Sequence, residues 1–166
     1  MSFAHFQQWG LDFIGEINLH SSGQHKYILT MTDYFTKWIE EIPTRSATDK
    51  VIMNFIIDNI CLRFGCPLKL VTDNSQAFKS SAMVEFCNKY NIIITHSTPY
   101  YSQGNGLTKS SNKRLVRIIK KLLAENKKSW DSKLKFALWV DRISTKKYIG
   151  TSPFQLVYGT DAVIPL

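Results

Sequence analysis

An acidic residue interrupts the otherwise apolar sequence WGLDFIG at residues 9–15. The segment from Trp9 to Ile17 is predicted to be a β-strand, and Asp12 lies within it. A carboxylate is costly to remove from water unless it has a partner. Asp12 is therefore either a hydrogen-bonded structural residue or a metal ligand on a rigid strand.

The segments that follow predict a mixed β-sheet. Turn residues at 21–24 favour a hairpin between the first two strands, and Pro43 is expected to end the third. Strands then alternate with helices, which indicates parallel pairing. The order βββαβαβαα predicts an α/β protein with a five-stranded mixed sheet flanked by helices on both faces. The predicted strands are 9–17, 26–32, 36–42, 68–72 and 92–95, and the predicted helices are 48–64, 80–90, a segment containing 115–122, and 130–144.

A second acidic residue, Asp73, directly follows the strand LKLVT at residues 68–72. The carboxyl ends of strands in α/β sheets are a usual place for ligand-binding residues. An Asp before Asn74 also commonly starts a turn. Two carboxylates on central strands can bind a hard cation such as Mg²⁺. Asp33, at the end of the second strand, is an alternative that periodicity does not exclude.

Positive charge is concentrated in the second half of the chain. The 166 residues contain 21 Lys and Arg against 13 Asp and Glu, a net charge of +8. Residues 84–166 hold fourteen of the basic and five of the acidic residues. Such a one-sided field attracts a polyanion such as nucleic acid, although solvated helix faces are the alternative.

The composition excludes several classes of protein. An apolar fraction of 44% and a charged fraction of 20% fit one globular domain and exclude a disordered tail. No apolar run approaches the roughly 20 residues that span a bilayer, and no signal peptide is visible, so we expect an intracellular protein with no membrane partner. The three cysteines lack a CxxC pair, which favours reduced thiols. The four histidines lack metal-ligand spacing.

Ordered motifs along nearly the whole chain resemble the integrase core of gypsy-type LTR retrotransposons. The resemblance implies a ribonuclease-H-like fold and a polynucleotidyl transferase that joins element DNA to target DNA. It also implies one core domain over residues 1–166, without the zinc-binding N-terminal module or the C-terminal domain of full integrases. The motifs are WGLDFIG at 9–15, YFTKW at 34–38, RFGCP at 63–67, TDN at 72–74, STPYYSQGNG at 97–106, SNK at 111–113 and TSPFQLVYG at 151–159.

The same resemblance implies a catalytic site of three carboxylates that hold two Mg²⁺ ions. The first two correspond to Asp12 and Asp73, but the third, a Glu in the family, corresponds to Lys109. Glu125 would lie about 24 Å further along a continuous helix and cannot replace it. We therefore expect weak or lost metal binding and an inactive enzyme, with an active Mg²⁺-dependent transferase as the alternative. The family commonly has Gly at Ser75, so we expect a strained turn there.

Basic residues on the helix after the 97–106 loop recur at three- or four-residue steps, and the resemblance implies that this surface faces DNA. Tyr101 and Gln103 in the loop can add stacking or hydrogen bonds. These contacts predict non-specific DNA binding, and a functional protein would then work in the nucleus. A non-enzymatic scaffold that forms a homodimer or binds a protein near Trp130 and Trp139 is the remaining alternative. The basic residues are Lys109, Lys113, Arg117, Lys120 and Lys121.

Overall fold

The computed structural model describes residues 4–18, 20–97, 112–118, 121 and 127–164. Among these residues, five strands form one sheet in the order β3-β2-β1-β4-β5. The first three strands are antiparallel neighbours, whereas β4 runs parallel to both β1 and β5. The predicted five-stranded mixed sheet is confirmed. The strands are β1 (Gln8–Ile14), β2 (Tyr27–Asp33), β3 (Ile39–Thr44), β4 (Lys69–Thr72) and β5 (Ile93–His96).

Helices cover both faces of this sheet, as predicted. On one face, Leu11 and Met31 pack with Ile52 and Phe86 in the larger apolar core. On the other face, Ile28 packs with apolar side chains of two later helices in a second core. The helices of the described residues are α1 (Asp49–Phe55, continued by a π-helical turn, Ile56–Cys61, and by Leu62–Phe64), α2 (Gln76–Lys79), α3 (Ser81–Lys89), α4 (112–118), α5 (Trp130–Ile143) and α6 (Pro153–Tyr158).

The predicted first helix is bounded by the capping residues Thr48 and Gly65. The Thr48 side chain accepts a hydrogen bond from the backbone N–H of Val51, and Gly65 ends the helical segment at a φ of 85°. This turn brings the Cα atoms of Cys61 and Cys66 to 4.2 Å, and a disulfide joins the two residues. The expectation of reduced thiols is therefore wrong for this pair. It holds for Cys87, which is free and buried, and burial raises the pKa of its thiol to about 11.

Strand β3 begins later than predicted and runs through Pro43. Residues predicted as its start instead form a turn, in which the Asp33 carboxylate accepts hydrogen bonds from the backbone N–H and the hydroxyl of Thr36, both at 2.7 Å. Pro43 lies in the ladder opposite Ile28. It is tolerated because β3 is the edge strand, where a missing N–H need not break a hydrogen bond to a second neighbour.

Candidate active site

Asp12 and Asp73 lie at the same level of two neighbouring strands. Asp12 is part of β1, and Asp73 directly follows β4, which runs parallel to β1. Gly10 pairs with Val71, and each aspartate comes two residues later in its own strand. Because neighbouring strands are about 4.8 Å apart, this register places the backbones of Asp12 and Asp73 at one level of the sheet. The structure thus brings together the two acidic residues that the sequence singled out.

The Asp12 carboxylate is held by hydrogen bonds from two directions. Its Oδ1 accepts from the backbone N–H of Phe13 at 2.9 Å, and its Oδ2 accepts from Nδ2 of Asn112 at 3.0 Å. The Oδ1 of Asn112 in turn accepts from the Thr30 hydroxyl at 3.0 Å. Thr30 is the residue of β2 that pairs with Asp12. The first residue of α4 is therefore fixed against the central strands of the sheet.

Asn112 is the residue of this site that sequence reasoning missed. The sequence showed it only as part of the motif SNK, with no indication of its contact. The residue is 8% exposed, although it stands in a basic, polar stretch of the chain. The sequence signal that could have pointed to it is its place three positions after Lys109, the third position of the family pattern.

Asp73 starts the turn that follows β4. Its Oδ1 accepts a hydrogen bond from the backbone N–H of Ser75 at 2.9 Å. Ser75 has φ −65° and ψ 150°, an extended conformation that any residue adopts, so the expectation of a strained turn is wrong. The next residue, Asn74, donates through Nδ2 to the carbonyl of Ser97 at 2.8 Å and ties the turn to the chain after β5.

Asp33 is a structural residue and not part of the acidic pair. It pairs with Trp9, at the opposite end of β1 from the Asp73 side, about 10 Å along the strand from the level of Asp12. Its side chain is fully buried. Burial raises the pKa of Asp33, and hydrogen bonds from Thr36 and from the backbone N–H of Phe6 oppose that rise. The alternative that the sequence left open is thereby removed.

The described residues supply two carboxylates to this site, those of Asp12 and Asp73. In the part of the chain that the structure describes, no group of three or more His, Cys, Asp or Glu is arranged to hold a metal. Two carboxylates are a small ligand set for two hard divalent cations, which together need many oxygen ligands. Lys109, at the third position of the family pattern, lies outside the described residues. Three of the predicted DNA contacts, Tyr101, Gln103 and Lys120, lie outside them as well.

The comparisons with known proteins identify the family. The family model described as the integrase core domain matches residues 4–102, more than half of the chain, including both aspartates. This chain belongs to the integrase core domain family. The resemblance that the sequence motifs carried is confirmed at this level, and a gypsy-type origin is compatible with it.

Retroviral polyproteins are among the relatives of this integrase core domain. It is 31% identical over 153 residues to the Gag-Pol polyprotein of avian reticuloendotheliosis virus, which covers 92% of this chain and 13% of the polyprotein. It is also 31% identical over 152 residues to the Pol polyprotein of a radiation murine leukemia virus (strain Kaplan), which covers 91% of this chain and 26% of that protein. The integrase core domain thus spans a small part of these relatives.

Solved structures share the fold of the integrase core domain. A simian T-cell lymphotropic virus intasome, solved in complex with the PP2A regulatory subunit B56 gamma, matches with a TM-score of 0.79 at 19% identity, over 96% of this chain and 56% of that one. The HTLV-2 integrase catalytic core domain, solved in complex with magnesium in a trimeric form, matches with a TM-score of 0.71 at 22% identity, over 90% of this chain and 94% of that one. These matches confirm the ribonuclease-H-like fold.

The outer side of α4 presents exposed basic residues. Lys113 and Arg117 are exposed and lie one helical turn apart, and Lys121 is exposed as well. The opposite side of the helix carries the buried residues Asn112 and Leu115. The integrase core domain therefore holds three of the predicted DNA contacts on solvent-facing positions.

A buried ion cluster holds α4 against α5 in the integrase core domain. Nε of Arg114 lies 2.6 Å from Oδ1 of Asp141, and Nζ of Lys146 lies 2.8 Å from the same oxygen. The side chains of Asp141 and Lys146 have no exposed surface. Burial lowers the pKa of Lys146 to about 8, against the opposing effect of Asp141. Arg114, the basic residue next to Lys113, is thus structural.

A helix that could span a membrane is absent from the residues that the structure describes.

Proposed function

We propose that this integrase core domain contacts DNA but does not join DNA strands. Membership of the family supports DNA integration as its functional class. The observation that carries the proposal is the position of Asp12 and Asp73, each two residues beyond the pair Gly10 and Val71, while Lys109 occupies the third position of the family pattern. The fold of the site is kept, but its ligand set is incomplete.

Electrostatics supports the proposed inactivity. Three carboxylates offer a charge of −3 to two divalent cations, whereas Asp12, Asp73 and Lys109 together offer −1. An ammonium group at the third position repels a cation instead of binding it. The HTLV-2 core domain was solved in complex with magnesium. We propose that Mg²⁺ is also the ion this site would take, and that it is held weakly or not at all.

The proposed DNA contacts do not depend on a metal ion. Phosphate groups are bound by dispersed lysines and arginines, and such contacts carry no sequence information. Exposed positions at Lys113, Arg117 and Lys121 support this part of the proposal. The proposal also includes the four predicted contacts outside the described residues: Lys109, Lys120, Tyr101 and Gln103.

A strand-transfer assay tests the proposal directly. The unmodified chain is incubated with a labelled donor duplex and a target plasmid in Mg²⁺ or in Mn²⁺, and joined products are measured. We expect no joining above the background of Asp12→Asn, a variant that removes one of the two carboxylates. Joining by the unmodified chain that Asp12→Asn abolishes would show an active transferase and overturn the proposal.

Two further parts of the proposal concern location and partners. A chain that contacts chromosomal DNA would work in the nucleus, and localisation of a tagged chain tests this.

A second copy of the chain is also proposed as a partner, since the HTLV-2 core domain was solved as a trimeric form. Light scattering on the purified chain measures its oligomeric state. DNA retention that is absent or insensitive to salt would instead favour a protein-binding scaffold.

A further inference from the structure

Glu41 is a buried carboxylate that the proposed function does not use. It pairs with Thr30 on the edge strand β3, so its side chain leaves the same face of the sheet as Asp12. The residue is 8% exposed. Among the residues that the structure describes, neither of its carboxylate oxygens has a hydrogen-bond partner. Buried polar groups in proteins are nearly always paired, so this carboxylate requires an explanation.

A cleft of about 250 Å³ opens between β3 and α5 at this carboxylate. Its walls are largely apolar, because Pro43, Leu134 and Leu138 line it. A second acidic side chain, Asp131, lies at the cleft together with Ser132 and Lys135. The cleft therefore combines a buried acid, apolar walls and a second acid.

The cations near Glu41 are engaged elsewhere. Arg142 contributes a favourable charge, but its guanidinium lies 2.8 Å from Glu40 and donates to the carbonyl of Ile39 at 2.7 Å. Nζ of Lys135 lies 5.3 Å from the ring centroid of Phe136. Glu40 and Asp141 add negative charge near Glu41.

We propose that this cleft binds the charged end of an alkylguanidinium or alkylammonium group. The Glu41 carboxylate supplies acceptors for the N–H groups of the cation, and the apolar walls contact the methylene stem. Asp131 lines the same cleft, but its Oδ2 already accepts from the Ser21 hydroxyl at 2.7 Å and lies 2.9 Å from Nδ1 of His25, so Glu41 is the acid with free acceptors. The ligand is either a free organic cation or an arginine or lysine side chain of another protein. This proposal is independent of the DNA contacts and of the aspartate pair.

A matched pair of small molecules tests the proposal. Butylguanidinium and butylurea have closely similar shapes, but only the first is a cation. Titration of the full chain is followed by NMR at the methyl groups of Leu134 and Leu138. We expect saturable shifts with butylguanidinium and none with butylurea. Saturable binding of both compounds, or of neither, would overturn the proposal.

Variants assign the binding to the carboxylate. Glu41→Gln is expected to weaken butylguanidinium binding at least tenfold, whereas Glu85→Gln, at an exposed position on α3, is expected to leave it unchanged. Unchanged affinity in Glu41→Gln would refute the assignment. Leu138→Trp, which fills the cleft and keeps Glu41, provides a second test and is expected to block binding. Binding that persists in this variant would also refute it.

A third arm distinguishes the two sources of the cation. A short neutral peptide with one central arginine is compared with free butylguanidinium at the same methyl groups. Tighter binding of the peptide would indicate a protein side chain as the ligand. Equal or weaker binding would indicate a free organic cation. Both results support the cleft as a cation site, provided that Glu41→Gln weakens the binding of the ligand at least tenfold.

Discussion

Nδ2 of Asn112 donates a hydrogen bond to Oδ2 of Asp12 at 3.0 Å, and this contact joins the first residue of α4 to the central strand of the sheet. The two residues are 100 positions apart in the chain. Together with the bond from Thr30 to Asn112, the contact fixes Asn112 against β1 and β2.

Replacement of Asn112 by Ala is expected to destabilise the fold. It leaves the Thr30 hydroxyl and one Asp12 oxygen without this partner inside the protein, which costs about 1–3 kcal/mol. Urea unfolding followed by circular dichroism measures the change in the free energy of unfolding. Asn88→Ala, at an exposed position on α3, is the matched control. Equal effects of the two substitutions would contradict the structural role of Asn112.

Replacement of Asp141 by Asn is expected to lower the free energy of unfolding by more than Asn112→Ala does. It leaves Lys146 fully buried without a negatively charged partner, and Arg114 loses its partner as well. Breaking a buried ion pair from one side costs about 3–5 kcal/mol. Thermal and urea unfolding measure the loss, with Asp58→Asn on the exposed side of the π-helical turn as control. A loss no larger than that of the control would show that the cluster contributes nothing to stability.

Replacement of Glu41 by Gln is expected to stabilise the protein at neutral pH and not at low pH. Burial raises the pKa of Glu41 well above the ordinary value. Below about pH 4, both folded and unfolded chains carry the proton, so charge burial costs nothing. As the pH rises past the unfolded pKa, only the unfolded chain ionises freely, and the native protein loses stability relative to the variant.

Urea midpoints of the native chain and of Glu41→Gln, measured between pH 4 and pH 8, follow this difference. The two curves should converge at the acid end and separate towards neutral pH. Since every other titrating group is present in both proteins, the difference isolates Glu41. A constant gap, or a variant that is less stable at pH 7, would contradict the prediction.

The exposed basic residues of α4 are expected to set the salt dependence of DNA binding. Removing two phosphate contacts, with Lys113→Gln and Arg117→Gln combined, should reduce the slope of log affinity against log salt by about 1.8. Fluorescence anisotropy with duplexes of unrelated sequence measures the slope. The control combines Lys50→Gln and Lys89→Gln, on helices that cover the other face of the sheet. If both pairs of substitutions lowered the slope equally, the result would show that α4 does not form the DNA-contacting surface.

The sequence predicted the sheet, and the place of Asp73 after one of its strands, because both depend on local pattern. Alternating and helical periodicities are read within a few residues, and the position of Asp73 after a strand follows from the strand itself. The start of β3 was predicted wrongly because the Asp33 side chain holds a turn at Thr36. Periodicity does not register a side-chain contact of that kind.

The contacts of the site were not predictable because they join distant parts of the chain. Asn112 meets Asp12 across 100 positions, and Asp141 meets Arg114 between two helices. The burial of Glu41 depends on α5, which begins 89 positions later. A single sequence shows the residue types involved but not their proximity. The role proposed for Lys109, by contrast, rests on family spacing alone.

Replacement of Lys109 by Glu is expected to raise the affinity of the chain for Mg²⁺ and Mn²⁺. The substitution changes the charge offered by Asp12, Asp73 and position 109 from −1 to −3, and a tenfold gain or more is expected, since about 1.4 kcal/mol suffices for it. Isothermal calorimetry measures the affinity.

Lys113→Glu makes the same change of charge at an exposed position of α4 and should leave the affinity nearly unchanged. Because the expected gain acts through the aspartate pair, Asp12→Asn in the Lys109→Glu background should cancel it. An equal gain in Lys113→Glu would reduce the effect to overall charge, and an unchanged affinity in Lys109→Glu would show that the third ligand position lies elsewhere.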